Sequence, residues 1–277
     1  MKKRLKVDMM EDTIAVIGAG VIGGAIAKGL IKSGYKGKII ATRRNPEKLM
    51  ELKELGAVVT NDNKAAAREA DIVFLCVKPN DVLKVLGEIK EEIVGKLVIS
   101  TAATIPLKHY KQVAPKAKFV RTMPNIAILV RESYTAYTCD EDVTAEDKQK
   151  VKAIFDTMGV CQEVEEKYMD AITALSGSGP GYISIIIEAL MYAGLKVGLP
   201  RELALYSAAQ TVLGTGKLAL ESRGHVSSIK DMVTTPGGTT IEAIYELEGS
   251  QIRQALMRAV EKATEKSQKI REKLGLS

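Results

Sequence analysis

The sequence has no tryptophan, three phenylalanines, three cysteines and two histidines among its 277 residues. An odd number of cysteines without a C-x-x-C pair argues against a disulfide framework. So few cysteines and histidines also give no support to a zinc site or another metal centre. We therefore expect a protein without a bound metal, in a reducing compartment such as the cytoplasm.

A strong excess of one charge is also missing, because 40 Lys and Arg stand against 34 Asp and Glu, a formal net charge of +6. No basic run is interleaved with aromatic residues, so the pattern disfavours nucleic acid and suits a small anionic ligand. The most apolar segment, residues 182–199, is interrupted by Glu188 and Lys196, and residues 1–13 lack the apolar core of a secretory signal. We expect a cytoplasmic protein that neither spans a membrane nor is exported.

The length and apolar content predict two domains, each with its own core. From Thr13 onward, short β-branched runs alternate with helical stretches, which is typical of a doubly wound parallel α/β sheet. After Glu166 no strand-like run remains. We predict a dinucleotide-binding, Rossmann-type domain over residues 1–166 and an all-helical domain over 167–277. The predicted strands are residues 13–17, 38–42, 57–59, 71–77, 97–101, 118–122 and 161–165.

Two helices stand out in this pattern. Residues 46–55 form a predicted helix with Asn45 at the N-cap and Pro46 at the first position. Residues 182–195 are apolar around most of a helical circumference, so that helix must be covered either within its domain or by a second subunit.

Residues 18–23, which read GAGVIG, match the pattern G-x-G-x-x-G between a predicted strand and a helix. We call them the fingerprint loop. In a dinucleotide site the first glycine turns the chain, the second lets the backbone approach a pyrophosphate, and the third lets helix and strand pack closely. The helix N-terminus attracts the anion. Candidate cofactor contacts are therefore Gly18, Gly20, Val21, Ile22 and Gly23, and a glycine-rich turn without a ligand is the alternative.

The end of the second predicted strand has Thr42, Arg43 and Arg44 where an Asp or Glu would bind the ribose 2′-hydroxyl of NAD. Two guanidinium groups and a hydroxyl suit a 2′-phosphate, because arginine binds phosphate in a bidentate manner. The sequence thus favours NADP(H) over NAD(H). The alternative is that both arginines are solvated surface charges.

Two further strands end at the edge where a doubly wound sheet binds its ligand. Lys78 either contacts the cofactor or extends along the surface, and Cys76 fits a small core residue better than a nucleophile. The residues expected to line the cofactor are Cys76, Val77, Lys78, Pro79, Thr101 and Ala102.

Residues 234–240, TTPGGTT, precede a predicted helix, and we call them the glycine-threonine loop. Thr239 and Glu242 have the spacing of a capping box, and Gly237 and Gly238 leave main-chain amides accessible. A carboxylate could bind there, at the positive end of the helix dipole. A purely structural capped loop is the alternative interpretation.

Together these motifs resemble pyrroline-5-carboxylate reductase, over nearly the whole chain after Thr13. The fingerprint loop is generic, whereas residues 230–240, KDMVTTPGGTT, are close to diagnostic. The other matching segments are residues 76–79 (CVKP), 121–125 (RTMPN) and 176–180 (SGSGP).

The resemblance implies reduction of the cyclic imine 1-pyrroline-5-carboxylate to L-proline, preferably with NADP(H) and also with NAD(H). It implies a helical domain that forms a homodimer, often within a ring of five dimers, and a site between subunits. It adds Asn63 to the cofactor contacts and places the Thr240 hydroxyl at the imine nitrogen. The implied substrate-binding residues are Thr235, Gly237, Gly238, Thr239 and Thr240.

Two departures from the family pattern affect loops. Ile126-Ala127 replaces Thr-Pro beside the cofactor crevice, and His225-Val226 replaces His-Pro before the glycine-threonine loop. Two other functions fit the same fold. A β-hydroxyacid dehydrogenase would need a catalytic lysine after the glycine-rich segment, and residues 181–188 contain none. A dinucleotide-binding regulatory protein without turnover is the other alternative, because fold alone does not establish activity.

Overall fold

The computed structural model describes residues 5–222 and 224–276. Its strands are β1 (Ile14–Ile17), β2 (Ile39–Thr42), β3 (Val58–Thr60), β4 (Ile72–Leu75), β5 (Leu97–Ser100), β6 (Lys118–Met123), β7 (Ser133–Cys139) and β8 (Gly159–Glu163). They form one sheet in the order β3-β2-β1-β4-β5-β6-β7-β8, in which only the β6–β7 pair is antiparallel. The doubly wound α/β class predicted from the sequence is confirmed.

All seven predicted strands are present, with small shifts at their ends, but the sequence pattern missed β7. This strand reads SYTAYTC and has buried hydroxyl side chains at Ser133, Thr135 and Thr138. Polar side chains of this kind hide the apolar signal that normally marks a buried strand. Tertiary packing, with β6 on one side and β8 on the other, places it in the sheet.

Helices cover the sheet on both faces, and the side chains of β1 show this directly. Ile14 and Val16 belong to one buried cluster, while Ala15 and Ile17 belong to a second one. Successive side chains of a strand point to opposite faces, so both faces of β1 are covered. The helices of this part are α1 (Val21–Lys32), α2 (Met50–Glu54), α3 (Asn63–Glu69), α4 (Pro79–Ile89), α5 (Leu107–Val113), α6 (Ala145–Asp156) and α7 (Met169–Ile172).

The predicted helix over residues 46–55 starts as a 3-10 turn, Pro46–Leu49, and continues as α2. Asn45 caps it as expected, because its side-chain oxygen accepts a hydrogen bond from the amide of Glu47, at 3.1 Å. The cap and the proline therefore fix the start of this helix after β2.

The rest of the chain is helical, with α8 (Gly179–Lys196), α9 (Arg201–Glu221), α10 (Ser227–Met232), α11 (Thr239–Glu248) and α12 (Ile252–Lys273). The described residues form two compact units: one runs up to Ser178 and resumes at Lys262, and the other is Gly179–Glu261. A domain boundary at residue 166 stays a prediction, and its outer limits, Met1 and Ser277, lie outside the described residues. Among the helices that the structure describes, none has the length and apolar character needed to cross a membrane.

In the second unit, α8 packs closely on α9. A Cβ added to Gly194 would lie 2.8 Å from the Cβ of Ala204, so the glycine permits this approach. On α8 only Met191 is buried, whereas Ile185 is 66% exposed. The apolar circumference seen in the sequence is therefore left largely uncovered by the described residues of this chain.

The last part of α12 belongs to the first unit, where it contacts a buried carboxylate. Asp170 on α7 accepts hydrogen bonds from the Ser267 hydroxyl, at 2.9 Å, and from the Arg271 guanidinium, at 2.6 Å. Leu274 and Leu276 pack against the second buried cluster. This contact fixes α7, which leads directly into the glycine-rich segment after it.

Candidate active site

The fingerprint loop has the backbone that each of its glycines was predicted to provide. Gly18 has a φ of +87°, and a Cβ there would lie 2.6 Å from Cγ1 of Val77. A Cβ on Gly23 would lie 2.7 Å from the Gly18 oxygen and 2.9 Å from the Cβ of Cys76. At Gly20 the nearest such atom is 4.0 Å away. Two glycines therefore permit close packing, and the middle one leaves its backbone open to a ligand.

Helix α1 starts directly at this loop with Gly20 as its N-cap, and no side chain caps it. The first bond of the helix runs from the Gly24 amide to the Gly20 oxygen, at 2.8 Å. The amides of Val21, Ile22 and Gly23 therefore have no partner within the helix. They fit a pyrophosphate, which would accept their hydrogen bonds at the positive end of the helix.

Thr42 at the end of β2 is buried, and its hydroxyl donates to the side-chain oxygen of Asn63, at 2.6 Å. This contact brings Asn63, at the start of α3, next to the strand. The main-chain oxygen of Thr42 also accepts from the amides of Gly18 and Ala19. The end of β2 is therefore joined to the fingerprint loop, as a dinucleotide site requires.

The two arginines that follow Thr42 differ in their surroundings. Arg44 is 90% exposed at its side chain and forms an ion pair with Asp81, with 2.8 Å between nitrogen and oxygen. Arg43 is partly buried, and its guanidinium makes neither a hydrogen bond nor an ion pair with the part of the chain that the structure describes. The contacts of Thr42, Arg43 and Arg44 with a 2′-phosphate remain predictions.

Cys76 follows β4 and faces the third glycine of the fingerprint loop. Burial raises the pKa of this thiol to about 12, although a hydrogen bond with Thr101 acts in the opposite direction. The thiol is therefore neutral at physiological pH and is a poor nucleophile. This agrees with the interpretation of Cys76 as a packing residue.

The remaining predicted cofactor residues lie at the same edge of the sheet. Lys78 is exposed and is the N-cap residue of α4, and Pro79 is the first residue of that helix. The Thr101 amide donates to the Leu75 oxygen, at 3.1 Å, and so joins the ends of β4 and β5. Ala102 is buried beside it. These positions are compatible with contacts to a cofactor, which stay a prediction.

Sequence reasoning gave no role to Thr104, which lies in the loop after β5. Its hydroxyl oxygen is buried and has no hydrogen-bond partner among the described residues. A buried hydroxyl without a partner is rare in folded proteins. In the sequence, only its closeness to the predicted cofactor residues Thr101 and Ala102 could have drawn attention to Thr104.

The motifs at residues 121–125 and 176–180 are joined in the structure. Asn125 donates a side-chain hydrogen bond to the main-chain oxygen of Ser176, at 3.1 Å. A Cβ on Gly177 would lie only 2.1 Å from Cε of Met123, so a side chain there would require the end of Met123 to move. Residues Thr173–Gly177 form a π-helical turn, an element that is frequent at functional sites. The glycine-rich segment is therefore anchored to the end of β6.

Arg121 is the largest fully buried side chain of the described residues, at 1% exposure. Its Nε donates to the main-chain oxygen of Ala103, and its NH1 group donates to the Glu166 carboxylate, each at 2.9 Å. The same carboxylate accepts from the Leu107 amide, at 2.8 Å. This ion pair fixes the loop after β5 relative to the segment that leads to α7.

The glycine-threonine loop begins with a tight turn. The Gly238 amide donates to the Thr235 oxygen, at 3.0 Å, with Pro236 second and Gly237 third in the turn. Gly237 has a φ of +66°, which together with the proline is the pattern of a type II turn. A Cβ on Gly238 would lie 2.4 Å from the Thr235 hydroxyl oxygen, so a side chain there would require Thr235 to shift.

The predicted capping box at Thr239 and Glu242 is wrong. Helix α11 starts at Thr239 with Gly238 as the N-cap, and no side chain caps it. The Pro-Gly turn places Gly238 at the N-cap and moves Thr239 into the first turn. As a result, the amides of Thr239, Thr240 and Ile241 have no partner within the helix. The loop therefore offers more free amide donors than a capping box would leave.

An ion-pair cluster joins α10 to the end of α11. Glu248 accepts from Lys230, at 3.4 Å, and from Arg253. Arg253 is the main cause that lowers the pKa of the Glu248 carboxyl, and Lys230 adds to the effect. The Thr234 hydroxyl donates to the Lys230 oxygen, at 2.7 Å. The Thr234 contact fixes the start of the glycine-threonine loop to α10.

The imidazole ring of His225 takes part in a local hydrogen bond. Its Nδ1 accepts from the Ser227 amide, at 3.2 Å, and so covers the start of α10. Val226, which replaces proline of the family pattern, has a φ of −57°. Since proline would fix a similar angle, this departure leaves the start of α10 in place.

Two family models match the chain. The model described as "Pyrroline-5-carboxylate reductase dimerisation" matches residues 166–270. The model described as "NADP oxidoreductase coenzyme F420-dependent" matches residues 13–104. The first range contains the glycine-threonine loop, and the second contains the fingerprint loop and both arginines.

Individual proteins are similar over almost their full length. The chain is 42% identical over 270 residues to a pyrroline-5-carboxylate reductase of Methanosarcina acetivorans, covering 96% of this chain and 100% of the relative. A solved pyrroline-5-carboxylate reductase from Coxiella burnetii is 35% identical, with a TM-score of 0.88, over 94% of this chain and 98% of that one. The Plasmodium falciparum pyrroline carboxylate reductase, solved with NADP bound, is 33% identical with a TM-score of 0.83, over 92% and 97%.

Proposed function

The chain belongs to the pyrroline-5-carboxylate reductase family and is an NADP(H)-dependent oxidoreductase, and we propose that its glycine-threonine loop holds the substrate. The reaction is the reduction of the cyclic imine 1-pyrroline-5-carboxylate to L-proline, a step of proline biosynthesis. The observation that supports this site is the type II turn at Thr235–Gly238, which leaves the first amides of α11 without partners.

The cofactor fits the edge of the first unit where β1, β2, β4 and β5 end. The fingerprint loop would hold the pyrophosphate through the free amides at the start of α1. Arg43, which has no ion-pair partner among the described residues, would bind the 2′-phosphate. The other proposed contacts are Thr42, Arg44, Asn63, Cys76, Val77, Lys78, Pro79, Thr101 and Ala102.

We propose that the substrate carboxylate accepts hydrogen bonds from main-chain amides of the glycine-threonine loop. The open backbone at Gly237 and the free amides of Thr239 and Thr240 support this assignment, because a carboxylate is stabilised at the positive end of a helix. The Thr240 hydroxyl makes no hydrogen bond with the described residues and would hold the imine nitrogen.

This chemistry needs little acid or base from the protein. A protonated cyclic imine is already an electrophile, and NADPH, when bound, supplies the hydride for the imine carbon. The protein contributes by holding the carboxylate and the nitrogen so that one face of the ring is presented, which lowers the entropic part of the barrier. The amides and the Thr240 hydroxyl also provide fixed dipoles around the charged substrate.

The dimerisation region supports oligomerisation of the chain. We propose a homodimer as the basic unit, with a ring of five dimers as a larger form, in the cytoplasm. The exposed apolar side chains of α8 and α9, such as Ile185 and Tyr206, support a partner subunit as their cover. The predicted division at residue 166 is proposed as the border between the cofactor and dimerisation domains.

One assay tests this function. Loss of NADPH and NADH absorbance is followed in parallel with 1-pyrroline-5-carboxylate and with a panel of keto acids, and gain of absorbance is followed with NADP+ or NAD+ and the matching hydroxyacids. We expect cofactor oxidation with the imine, faster with NADPH. Turnover of a hydroxyacid pair instead would indicate a dehydrogenase, and the absence of any turnover would indicate a binding protein.

A further inference from the structure

Asp81 lies opposite the two arginines of the cofactor edge and contacts one of them. Its carboxylate forms the 2.8 Å ion pair with Arg44 and is 37% exposed at its side chain. Asp81 is the third residue of α4, in the first turn after Lys78 and Pro79. The family resemblance and the sequence motifs gave this residue no role.

The order of the strands places this ion pair across the cofactor crevice. Arg44 follows β2, Asp81 follows β4, and β1 lies between these two strands in the sheet. All three strands are parallel, so their ends meet at one edge. The Arg44–Asp81 pair therefore reaches over the strand that ends in the fingerprint loop.

The neighbouring carboxylate of Asp62 has another role and does not pair with these arginines. The Asp62 side chain caps α3 by accepting from the Ala65 amide, at 2.9 Å. Arg43 has no ion-pair partner among the described residues. Within the described chain, Asp81 is the carboxylate that forms a salt bridge with this arginine pair.

A 2′-phosphate and the Asp81 carboxylate would compete for the same guanidinium. The phosphate of NADPH must draw Arg44 away from Asp81 or bind beside an arginine that is already neutralised. The ribose hydroxyls of NADH have no charge and do not compete.

We propose that Asp81 is a specificity-determining residue that holds Arg44 and thereby reduces the preference for NADPH over NADH. This inference rests on the proposed function only for the identity of the cofactor pair. Arg43 is then the first contact of the 2′-phosphate, and Arg44 is a second contact whose availability Asp81 sets.

Titration calorimetry with NADP+ and NAD+ tests this without turnover. The variants are Asp81→Asn and Asp81→Ser, and the matched control is Glu69→Gln. The control also removes one negative charge from an exposed ion pair, with Lys38, but Lys38 precedes β2 and so lies at the opposite end of that strand. We expect both Asp81 variants to bind NADP+ about two- to fivefold more tightly, the range for release of an exposed ion pair.

In the same experiment the Kd for NAD+ should change less than about twofold, and Glu69→Gln should change neither value. The gain for NADP+ should be lost when Asp81→Asn is combined with Arg44→Ala, because no guanidinium is left to release. Equal tightening of both cofactors, or no difference between Asp81→Asn and Glu69→Gln, would overturn the proposal. Calorimetry needs no substrate, so its result tests the role of Asp81 separately from the proposed imine reductase activity.

Discussion

Asn125, in the loop after β6, donates a hydrogen bond from Nδ2 to the main-chain oxygen of Ser176, with 3.1 Å between the two atoms. Its side-chain oxygen accepts at the same time from the Ala127 amide, at 3.0 Å. One side chain thus caps the short 3-10 helix Ile126–Val130 and anchors the π-helical turn. Two segments that are 51 residues apart in the chain depend on it.

We expect Asn125→Ala to lower the free energy of unfolding by about 1–3 kcal/mol, because it removes a cap and leaves two partly buried backbone groups without that partner. Urea unfolding followed by circular dichroism measures this. The control is Asn61→Ala, since Asn61 is exposed and should cost less than about 0.5 kcal/mol. Equal unfolding midpoints for the two variants would show that the Asn125 bonds contribute nothing.

Two adjacent glycines of α1 should respond in opposite ways to alanine. A Cβ at Gly23 would lie 2.7 Å from the Gly18 oxygen, whereas at Gly24 the nearest atom is 3.9 Å away. We expect Gly23→Ala to displace the fingerprint loop and weaken NADP+ binding at least about tenfold. Gly24→Ala should bind normally and gain up to about 1 kcal/mol of stability, because alanine favours a helix. Calorimetry and thermal unfolding distinguish the two, and equal effects would contradict the packing argument.

Arg121 is fully buried and pairs with the partly exposed Glu166, which predicts a large loss of stability for a variant that removes only the carboxylate. Glu166→Ala leaves the buried guanidinium without its partner, and the Leu107 amide loses its acceptor as well. We expect a loss of about 3 kcal/mol, the usual cost of an unpaired buried charge. Its neighbour Glu165 pairs with Lys167 at the surface, so Glu165→Ala should leave the urea midpoint unchanged. A midpoint for Glu166→Ala close to that of Glu165→Ala would contradict this account.

The three cysteines predict a dependence of stability on alkaline pH. Burial raises the pKa of Cys76, Cys139 and Cys161 from 9.0 to about 12. The unfolded chain therefore releases these protons at lower pH than the folded chain. The cysteine contribution to stability is complete below pH 9 and is lost as the pH rises toward 12. Urea unfolding from pH 8 to 10.5 should show this decline, with a smaller slope when the cysteines are replaced by alanine.

Alkylation gives an independent measurement of the same shift. At pH 8 only about one thiol in ten thousand would be ionised at a pKa near 12. Iodoacetamide should therefore modify the native chain very slowly and the urea-unfolded chain fully, as mass spectrometry can show. Rapid modification of Cys76 in the native protein would contradict its assignment as a neutral packing residue.

Local sequence signals predicted the parts of this structure that depend on local chemistry. The fingerprint loop and the Asn45 cap need particular residues at fixed spacing, and both are present as expected. β7 was missed because Ser133 and Thr135 are buried polar side chains, and their environment comes from neighbouring strands. The capping box failed because the turn at Pro236 and Gly237 moved the start of the helix by one residue.

Contacts between distant residues had no signal in a single sequence. Asp170 bonds to Ser267, 97 residues later, and Arg121 bonds to Glu166, 45 residues later. No periodicity or fixed spacing in the sequence indicates that the residues of either pair are in contact. The Arg44–Asp81 pair is similar, since the two residues meet only because β2 and β4 flank β1.

The hydroxyl of Thr240 is the side-chain group that the proposed mechanism depends on most. Thr240→Val keeps the shape of the side chain but removes the hydroxyl, and Thr240→Ser keeps the hydroxyl. We expect the valine variant to lower kcat/KM for 1-pyrroline-5-carboxylate by about 10²–10³, as for other single donors at a charged reacting group. The serine variant should stay within about tenfold of the parent, because its hydroxyl can still reach the imine nitrogen.

The matched control for these variants is Thr157→Val, since the Thr157 hydroxyl donates to the Ile154 oxygen at the end of α6, at 2.6 Å. It should leave kcat/KM unchanged. Binding of NADP+ should be the same in the parent, Thr240→Val and Thr240→Ser, because the hydroxyl is proposed to contact the substrate and not the cofactor. If Thr240→Val retained full kcat/KM, the imine nitrogen would have to be held by another group.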